Sequence, residues 1–426
     1  MDQPQNQTSS SPVTADGSGE LGSRRIHRAW TVALGAAIAI FCGLGLGRFA
    51  FGMLLPSMSA SLGLDYGQSG LLGFANLLGY LIAVLMMPFV LPSLRTRTTT
   101  VASLLLVSVS MLAIAVSKHF LILCLLFLIT GIGSGGVVLP AMSVMSQWFY
   151  PSHRGLAAGI AMAGPGFGVI LAGFVAPQLQ PLFGLESWQS GWLLFSVITA
   201  FVACLVYGLI RNHPQELGLL PYGRKPGISA TPQAALSRAA KIRLLAHMGL
   251  IFAIYGATYM LYVTFIVTSM VDSYQLSATT AGGIWAWFGL FSIFSGVLFG
   301  SISDRIGRRA GMAVSFVVLA SAYLLVGAGG WISGLYISVV LFGLAAWSIP
   351  VIMAASAGDI FGSAHAANAL VALTLSFSTG QALGPVLGGF LAERSGDFSS
   401  SYMGSAGLAL LAIALVAWLK LPDAAE

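Results

Sequence analysis

One charge stands where charges are costly. Arg48 lies in Gly43-Leu44-Gly45-Leu46-Gly47-Arg48-Phe49-Ala50-Phe51-Gly52 and is the only charged residue between Trp30 and Met58. A guanidinium in hydrocarbon costs about 3 kcal/mol on insertion scales, so it normally faces a bundle interior or a watery cavity. The glycines around it remove side-chain bulk and let a helix or a ligand come close. A fixed guanidinium without a partner acid binds anions, most simply a carboxylate held by two parallel N–H···O bonds. None of the thirteen Asp and Glu residues lies in the middle of an apolar run, and the six histidines fall at run ends or between runs. The competing uses of Arg48 are to snorkel outward or to bond backbone carbonyls.

Other side chains can complete such a site. Phe51 and Leu55 follow Arg48 at i+3 and i+7, so a regular helix puts them on its face. Asn76 and Tyr80 share a face of the second apolar run, and Tyr255, Tyr259 and Tyr262 form a stripe in the seventh. Buried tyrosine hydroxyls seek partners, which suits a cavity wall, although helix–helix bonds use them equally well. Trp285 and Trp347 can stack on a substrate body or simply pack. Thr374, Ser378 and Gln381 lie on one face of the eleventh run, and Gln381 can donate to a carboxylate. Gly164-Pro165 and Gly384-Pro385 read as bending points, because proline removes a helical hydrogen bond. Cys42, Cys124 and Cys204 all lie in apolar runs without metal-ligand spacing. Phosphate-loop, zinc-protease and nucleophile-elbow motifs are absent. The expectation is a protein that is not an enzyme and uses no metal or cofactor.

The elements that position these residues are apolar runs of membrane-crossing length. Of 426 residues, 57% are hydrophobic and 8% charged, too little charge for a water-exposed surface of this size. Twelve runs are long enough to cross ~30 Å of hydrocarbon as helices: 29–58, 66–91, 98–117, 120–148, 155–177, 191–211, 245–271, 278–302, 310–328, 332–357, 366–392 and 400–420. With this count sixteen Lys and Arg residues fall on one side and only Lys118 and Arg394 on the other. The excess of basic residues marks the cytoplasmic side, so both termini and the long middle loop are expected there. Residues 1–28 read as a disordered tail without a secretory signal, and 421–426 as a short second tail. The net charge of +6 follows from this asymmetry, and nucleic acid is not an expected partner.

The middle loop, 212–244, is rich in proline and glycine and divides the spans into 29–211 and 245–420. Thr231-Pro232 looks like a helix start, and Arg238, Lys241 and Arg243 beyond it suit an anionic inner leaflet. Ser57-Met58 and Ser269-Met270, Leu64 and Leu276, and Phe149 and Phe361 each match at an offset of 212. Gly164-Pro165-x-x-Gly168 matches Gly384-Pro385-x-x-Gly388 at an offset of 220. Together with the six-plus-six division these matches point to an internal duplication.

At Gly300-x-x-x-Asp304-Arg305-x-Gly307-Arg308-Arg309 the chain resembles the major facilitator superfamily, over essentially all of 29–420. The resemblance implies an all-α membrane protein with twelve transmembrane helices in two pseudo-symmetric six-helix bundles, monomeric by family default. An acid beside basic residues at this junction can form a breakable latch between helices. The first-half counterpart, Pro92-Ser93-Leu94-Arg95-Thr96-Arg97, lacks the acid. Gln147-Trp148-Phe149-Tyr150-Pro151-Ser152-His153-Arg154-Gly155 through Gly164-Pro165 is similar to the fourth-to-fifth junction of monocarboxylate and oxalate/formate porters. Arg154 there can bond helix-terminal carbonyls or Asp359 of the other half, or serve only as an orientation charge. His213-Pro214-Gln215-Glu216-Leu217-Gly218 resembles the start of the central loop in bacterial relatives. Gly47-Arg48-Phe49-Ala50 through Leu54-Leu55-Pro56 resembles the YbfB/YjiJ branch. The arginine of proton-coupled drug antiporters has no counterpart in Phe127-Leu128-Ile129-Thr130-Gly131-Ile132-Gly133. The ionisable residue often found in the eighth helix of monocarboxylate porters is also missing before Asp304.

The function expected from these readings is secondary transport of a small organic anion, a monocarboxylate, across a bacterial plasma membrane by alternating access, with proton symport open. Substrate contacts are expected from Arg48, Phe51, Asn76, Tyr80, Tyr259, Tyr262, Trp285 and Gln381. Gating roles are expected from Arg154, Gly164, Pro165, Asp304, Arg305, Arg308, Arg309, Asp359, Gly384 and Pro385. The alternatives are an efflux pump for neutral or cationic amphiphiles and, in another class, a membrane receptor or sensor that does not transport.

Overall fold

In a computed structural model of the chain, the described residues are 27–181, 184–223 and 237–419. Most of the amino-terminal tail, Arg224, Lys225, Thr231-Pro232, Lys420 and the tail 421–426 lie outside them. The described residues are almost wholly helical. Helix α1 (Arg28–Ile40) passes into a π-helical stretch (Phe41–Phe49) and on into α2 (Ala50–Leu62). There follow α3 (Tyr66–Leu94), α4 (Thr96–Val116), α5 (Phe120–Trp148), α6 (Pro151–Met162), α7 (Gly164–Val175) and α8 (Ser187–Leu209). The second half comprises α9 (Arg238–Asp272), α10 (Ala278–Ile306), α11 (Arg308–Gly327), α12 (Ile332–Ala345), α13 (Ser348–Ser395) and α14 (Ser399–Trp418).

Twelve stretches of the described residues are long and apolar enough to cross a membrane, from Arg28–Leu62 to Ser399–Trp418. They coincide with the twelve runs read from the sequence. Local signals set their starts. The Asp65 carboxylate accepts from Gln68 N at 2.5 Å while Gln68 Oε1 accepts from Asp65 N, a capping box opening α3. Ser237 and Ser277 cap α9 and α10 in the simpler way.

The internal duplication is visible in the backbone. Helices α3 and α10 are each 29 residues long and begin 212 residues apart. Each is followed by one residue of positive φ before the next helix, Arg95 at 59° and Gly307 at 90°. The glycine of the Asp304–Arg309 motif thus supplies a backbone shape that side chains resist, and the first half adopts the same shape with an arginine.

Two departures from the sequence expectation concern helix continuity. The first span is not a regular helix, because its centre is π-helical for nine residues. The junction between the tenth and eleventh spans keeps a helical backbone inside α13, where a loop was expected near 358–365. That stretch contains no proline, so every backbone N–H needed for the helical hydrogen-bonding pattern is present.

The two halves meet through spans one and seven, two and eleven, and five and eight. Contact is at backbone distance. A Cβ on Gly70 would stand 2.5 Å from Pro385 O, one on Gly389 2.4 Å from Tyr66 O, and one on Gly173 2.4 Å from Gly282 O. Small residues at helix crossings allow this approach. These contacts close the side away from the basic segments, here called the distal side. There Tyr66 Oη donates to Asp272 Oδ2 across the halves at 3.0 Å, and a cavity of about 450 Å³ is lined by Asp65, Tyr66, Thr268, Asp272 and Glu393 among others.

Candidate functional site

Arg48 lies where the two halves cross. It is 4% exposed. Its Nη2 donates to the thioether sulfur of Met260 at 3.6 Å, and Met260 is the residue 212 positions on. One helical turn further, Gly52 packs on the carbonyls of Val263 and Thr264, and Thr264 is again 212 positions on. Arg48 and Met260 are therefore pseudo-symmetry mates at the centre of the molecule, where transporters built from repeats place their sites.

The π-helical stretch is closely packed at its glycines. A Cβ on Gly43 would meet Val137 Cβ at 2.8 Å, one on Gly45 Gly168 Cα at 2.9 Å, and one on Gly47 Val107 Cγ1 at 3.0 Å. Spans three, four and five thus press on three successive sides, and only glycine fits. Phe51, three residues beyond Arg48, packs its ring on Phe127 at 4.8 Å. π-Helical insertions are frequent at functional sites.

The guanidinium is poorly satisfied. It offers five N–H donors. A sulfur is a weak acceptor, and Nε has no hydrogen-bond partner. Compensation comes from rings: Arg48 Cζ lies 5.0 Å from the Tyr80 ring centroid and 5.7 Å from that of Phe49. Tyr259, across the halves, is within electrostatic reach, and its buried hydroxyl has no partner.

Beyond Arg48 the wall of the second half is aromatic. Phe49 meets Trp347 at 6.1 Å, Trp347 meets Tyr259 at 5.9 Å, and Tyr259 stacks on Phe342 at 5.6 Å and on Tyr255 at 5.4 Å. Trp347 sits at a break in the tenth span, between α12 and α13. Tyr255 Oη donates to Ala346 O at that break. The tyrosine stripe therefore divides by role. Tyr255 closes the broken helix, and Tyr262 is committed to Ser338 Oγ at 2.8 Å. Tyr259 keeps an unused hydroxyl.

The remaining candidates are buried but not all adjacent. Asn76 Nδ2 donates to Phe127 O at 3.2 Å and more weakly to Gly47 O at 3.5 Å, which ties α3 to α5 and to the π stretch. Its Oδ1 is without a partner. Trp285 packs on Phe288 at 4.6 Å and reaches the aromatic wall through Phe288 and Phe342, at 5.4 Å; its Nε1 is also unpartnered. Gln381 and Ser378 present unpartnered Oε1 and Oγ from α13, with Gln381 N lying opposite Gly256.

The residues read as gating fall into separate groups. Arg308 Nε bonds Asp359 Oδ2 at 2.8 Å, and its Nη1 bonds Asp304 Oδ1 at 2.5 Å and Ser303 Oγ at 3.2 Å. Spans eight, nine and ten are tied by this one guanidinium. Asp359 is thereby held within its own half, and Arg154 bonds the helix-terminal carbonyl of Ser146 at 3.3 Å instead. Arg309 donates to Ala417 O. Arg97, its first-half mate, donates to Tyr207 O at 2.8 Å. Arg305 is exposed in the last turn of α10. Gly164-Pro165 begins α7 at a break in the fifth span, with Gly164 against Ala37 O. Helix α13 runs unbroken through Gly384-Pro385.

Met260, Phe49 and Phe342 escaped the sequence reading. The duplication offset could have found Met260, since it is Arg48 plus 212. Phe342 carries no comparable mark among twenty-five phenylalanines. Among the described residues no group of His, Cys, Asp and Glu could hold a metal ion.

Comparison with known proteins agrees with this architecture. Residues 40–417 match the family described as "Uncharacterised MFS-type transporter YbfB". The chain is 22% identical to the hexuronate transporter of Bacillus subtilis (strain 168) over 390 residues, 86% of this chain and 89% of that one. It is 27% identical to monocarboxylate transporter 11 of Homo sapiens over 305 residues, 66% and 60% of the two chains. The fold is similar to the solved structure of a bacterial homolog of the human lysosomal transporter Spinster, inward-facing and unoccupied. The TM-score is 0.69 at 16% identity, covering 93% of this chain and 95% of that one.

Proposed function

The chain belongs to the family of MFS-type transporters described by YbfB, and from that membership we propose that it is a secondary transporter of a small organic anion, a monocarboxylate. In this reading 29–211 and 245–420 rock about a central site in a bacterial plasma membrane, joined by the cytoplasmic loop 212–244. The tails 1–28 and 421–426 are cytoplasmic too. The observation that carries the reading is Arg48: a buried guanidinium at the pseudo-symmetry axis with a thioether as its acceptor. A carboxylate would replace that weak acceptor with a charge-assisted, two-pronged bond. The hexuronate and monocarboxylate transporters among its relatives carry acids by name, which supports the same class.

Roles follow from position. Arg48 holds the carboxylate and the free Tyr259 hydroxyl is a second donor. Tyr80 flanks the guanidinium, and Trp285 and Gln381 offer unpartnered polar atoms toward the substrate body. Phe51, Asn76 and Tyr262 hold the wall in place. In this reading the closed distal side faces away from the cytoplasm. Opening the other way parts Gly70 from Pro385 and Tyr66 from Asp272, while Asp304, Arg308 and Asp359 keep the second half rigid. Arg154, Arg305 and Arg309 border the cytoplasmic mouth, and Gly164-Pro165 and Gly384-Pro385 absorb bending. Among the described residues no acid is paired with Arg48, so a coupled proton would travel on the substrate's own carboxyl or through a network linked to Arg48.

The test is uptake by the purified full chain in proteoliposomes, with labelled carboxylates and lipophilic cations, with and without a pH gradient. Carboxylate accumulation supports the reading, and its dependence on an inward proton gradient establishes symport. Cation flux without carboxylate flux identifies an efflux pump and overturns it.

A further inference from the structure

The surroundings of Arg48 narrow the anion further, on the reading that Arg48 binds a carboxylate. The guanidinium is flanked by the rings of Tyr80 and Phe49 at 5.0 and 5.7 Å. Phe49 leads to Trp347, and Trp347 to Tyr259, at 6.1 and 5.9 Å between ring centroids. Rings from both halves thus bracket the charge. Polar capacity beside it is small. The Asn76 amide nitrogen is already given to backbone carbonyls, and the Tyr262 hydroxyl to Ser338. The Tyr259 hydroxyl and the Asn76 amide oxygen remain, and Trp285 Nε1 and Gln381 Oε1 are the other unpartnered polar atoms of the candidate set. A polyhydroxylated acid leaves each buried hydroxyl in need of a partner, at roughly 1–3 kcal/mol for each one missing. A flat apolar body has no such need and gains from offset or edge contacts with the rings.

Met260 fits the same picture. Its thioether occupies the acceptor position at Arg48, and an unbranched side chain is easily displaced and repacks against an aromatic face.

We infer that the substrate is an aromatic carboxylate, its carboxyl group on Arg48 and Tyr259 Oη and its ring held between Tyr80, Phe49 and Trp347. Tyr80 and Trp347 then set specificity for the ring, while Arg48 sets it for the charge. The two parts of the site are separable by substitution.

The experiment is equilibrium binding to the purified full chain in nanodiscs, read by tryptophan fluorescence and by ligand-induced thermal shift. The probes are benzoate, phenylacetate, benzamide, lactate and glucuronate. Benzoate or phenylacetate is expected to bind about tenfold more tightly than lactate, a difference of the size ring contacts supply. Benzamide is expected to fail, and Arg48→Ala to abolish binding of both acids. Trp347→Leu and Tyr80→Leu remove the aromatic advantage and leave lactate binding as it was. Trp347→Phe and Tyr80→Phe, which keep a ring, retain it and serve where the leucine variants fail to fold. Glucuronate or lactate binding more tightly than benzoate, still lost in Arg48→Ala, overturns the aromatic inference and leaves the anion reading standing. Carboxylate binding that survives Arg48→Ala overturns the anion reading itself.

Discussion

If Arg48 is kept for a ligand and not for stability, removing its charge should make the empty protein more stable. The substitution to make is Arg48→Met, which keeps an unbranched chain of similar length. Placing an arginine at the centre of a membrane helix costs about 3 kcal/mol on insertion scales. Two rings at 5.0 and 5.7 Å, toward the outer limit of the interaction, return part of this, about 1–2 kcal/mol together at the lower cation–π value of about 0.5–1 kcal/mol each. The sulfur at 3.6 Å returns little, and Nε returns nothing. The net cost is about 1–2 kcal/mol, in line with the gains seen when buried charges give way to apolar residues. Arg48→Met should therefore unfold a few degrees higher than the parent protein in the absence of substrate. Nine tryptophans, among them the neighbouring Trp347, make intrinsic fluorescence a suitable thermal readout. The same variant should lose carboxylate binding, a trade of stability for function. A fall in stability of 1 kcal/mol or more would refute the reasoning and make Arg48 a structural tie between the halves.

Three further outcomes are expected. Arg95 holds φ 59° and ψ 152° between α3 and α4, a region that costs a non-glycine residue about 1–3 kcal/mol. Arg95→Gly should raise stability by about 1 kcal/mol after glycine's own entropy cost, seen as a higher midpoint in detergent, whereas Arg95→Ala should give no gain. Gly70→Ala puts a methyl group 2.5 Å from Pro385 O, so it should favour opening of the distal side. A cysteine introduced by Ser59→Cys should then be labelled faster from that side, and equal rates would contradict the proposed closure. The Glu186 carboxyl is held below its usual range by the Ser61 hydroxyl and then by Lys118, whose Nζ lies 3.0 Å away. Its contribution is present above the ordinary glutamate value of about 4.3 and is lost as pH falls through the lower folded value. Glu186→Gln should accordingly flatten the loss of thermal stability below about pH 4.

The twelve spans were legible because each must be apolar over the thickness of a bilayer, a constraint written residue by residue. Arg48 was legible for the same reason, as the one charge that breaks its run. The ion pair of Asp304 and Arg308 was legible as a motif. What the motif could not say is that Arg308 also takes Asp359 from the tenth span, because that contact is long-range. The π stretch was not readable: three glycines announce close neighbours, but which helices press on them decides the register. The ring contact of Phe51 with Phe127 likewise depends on a helix distant in sequence. The tyrosine stripe was recognised as a unit, yet its hydroxyls differ through partners on other helices. Tyr262 finds Ser338, and Tyr259 finds none.

The most direct test of the central claim is carboxylate exchange in proteoliposomes, with Arg48→Ala and Arg48→Lys measured beside the parent protein. The account predicts that Arg48→Ala abolishes exchange. It also predicts that Arg48→Lys keeps only a small fraction, since a lysine supplies the charge but not the two-pronged geometry. Exchange at the parent rate in Arg48→Ala would contradict it.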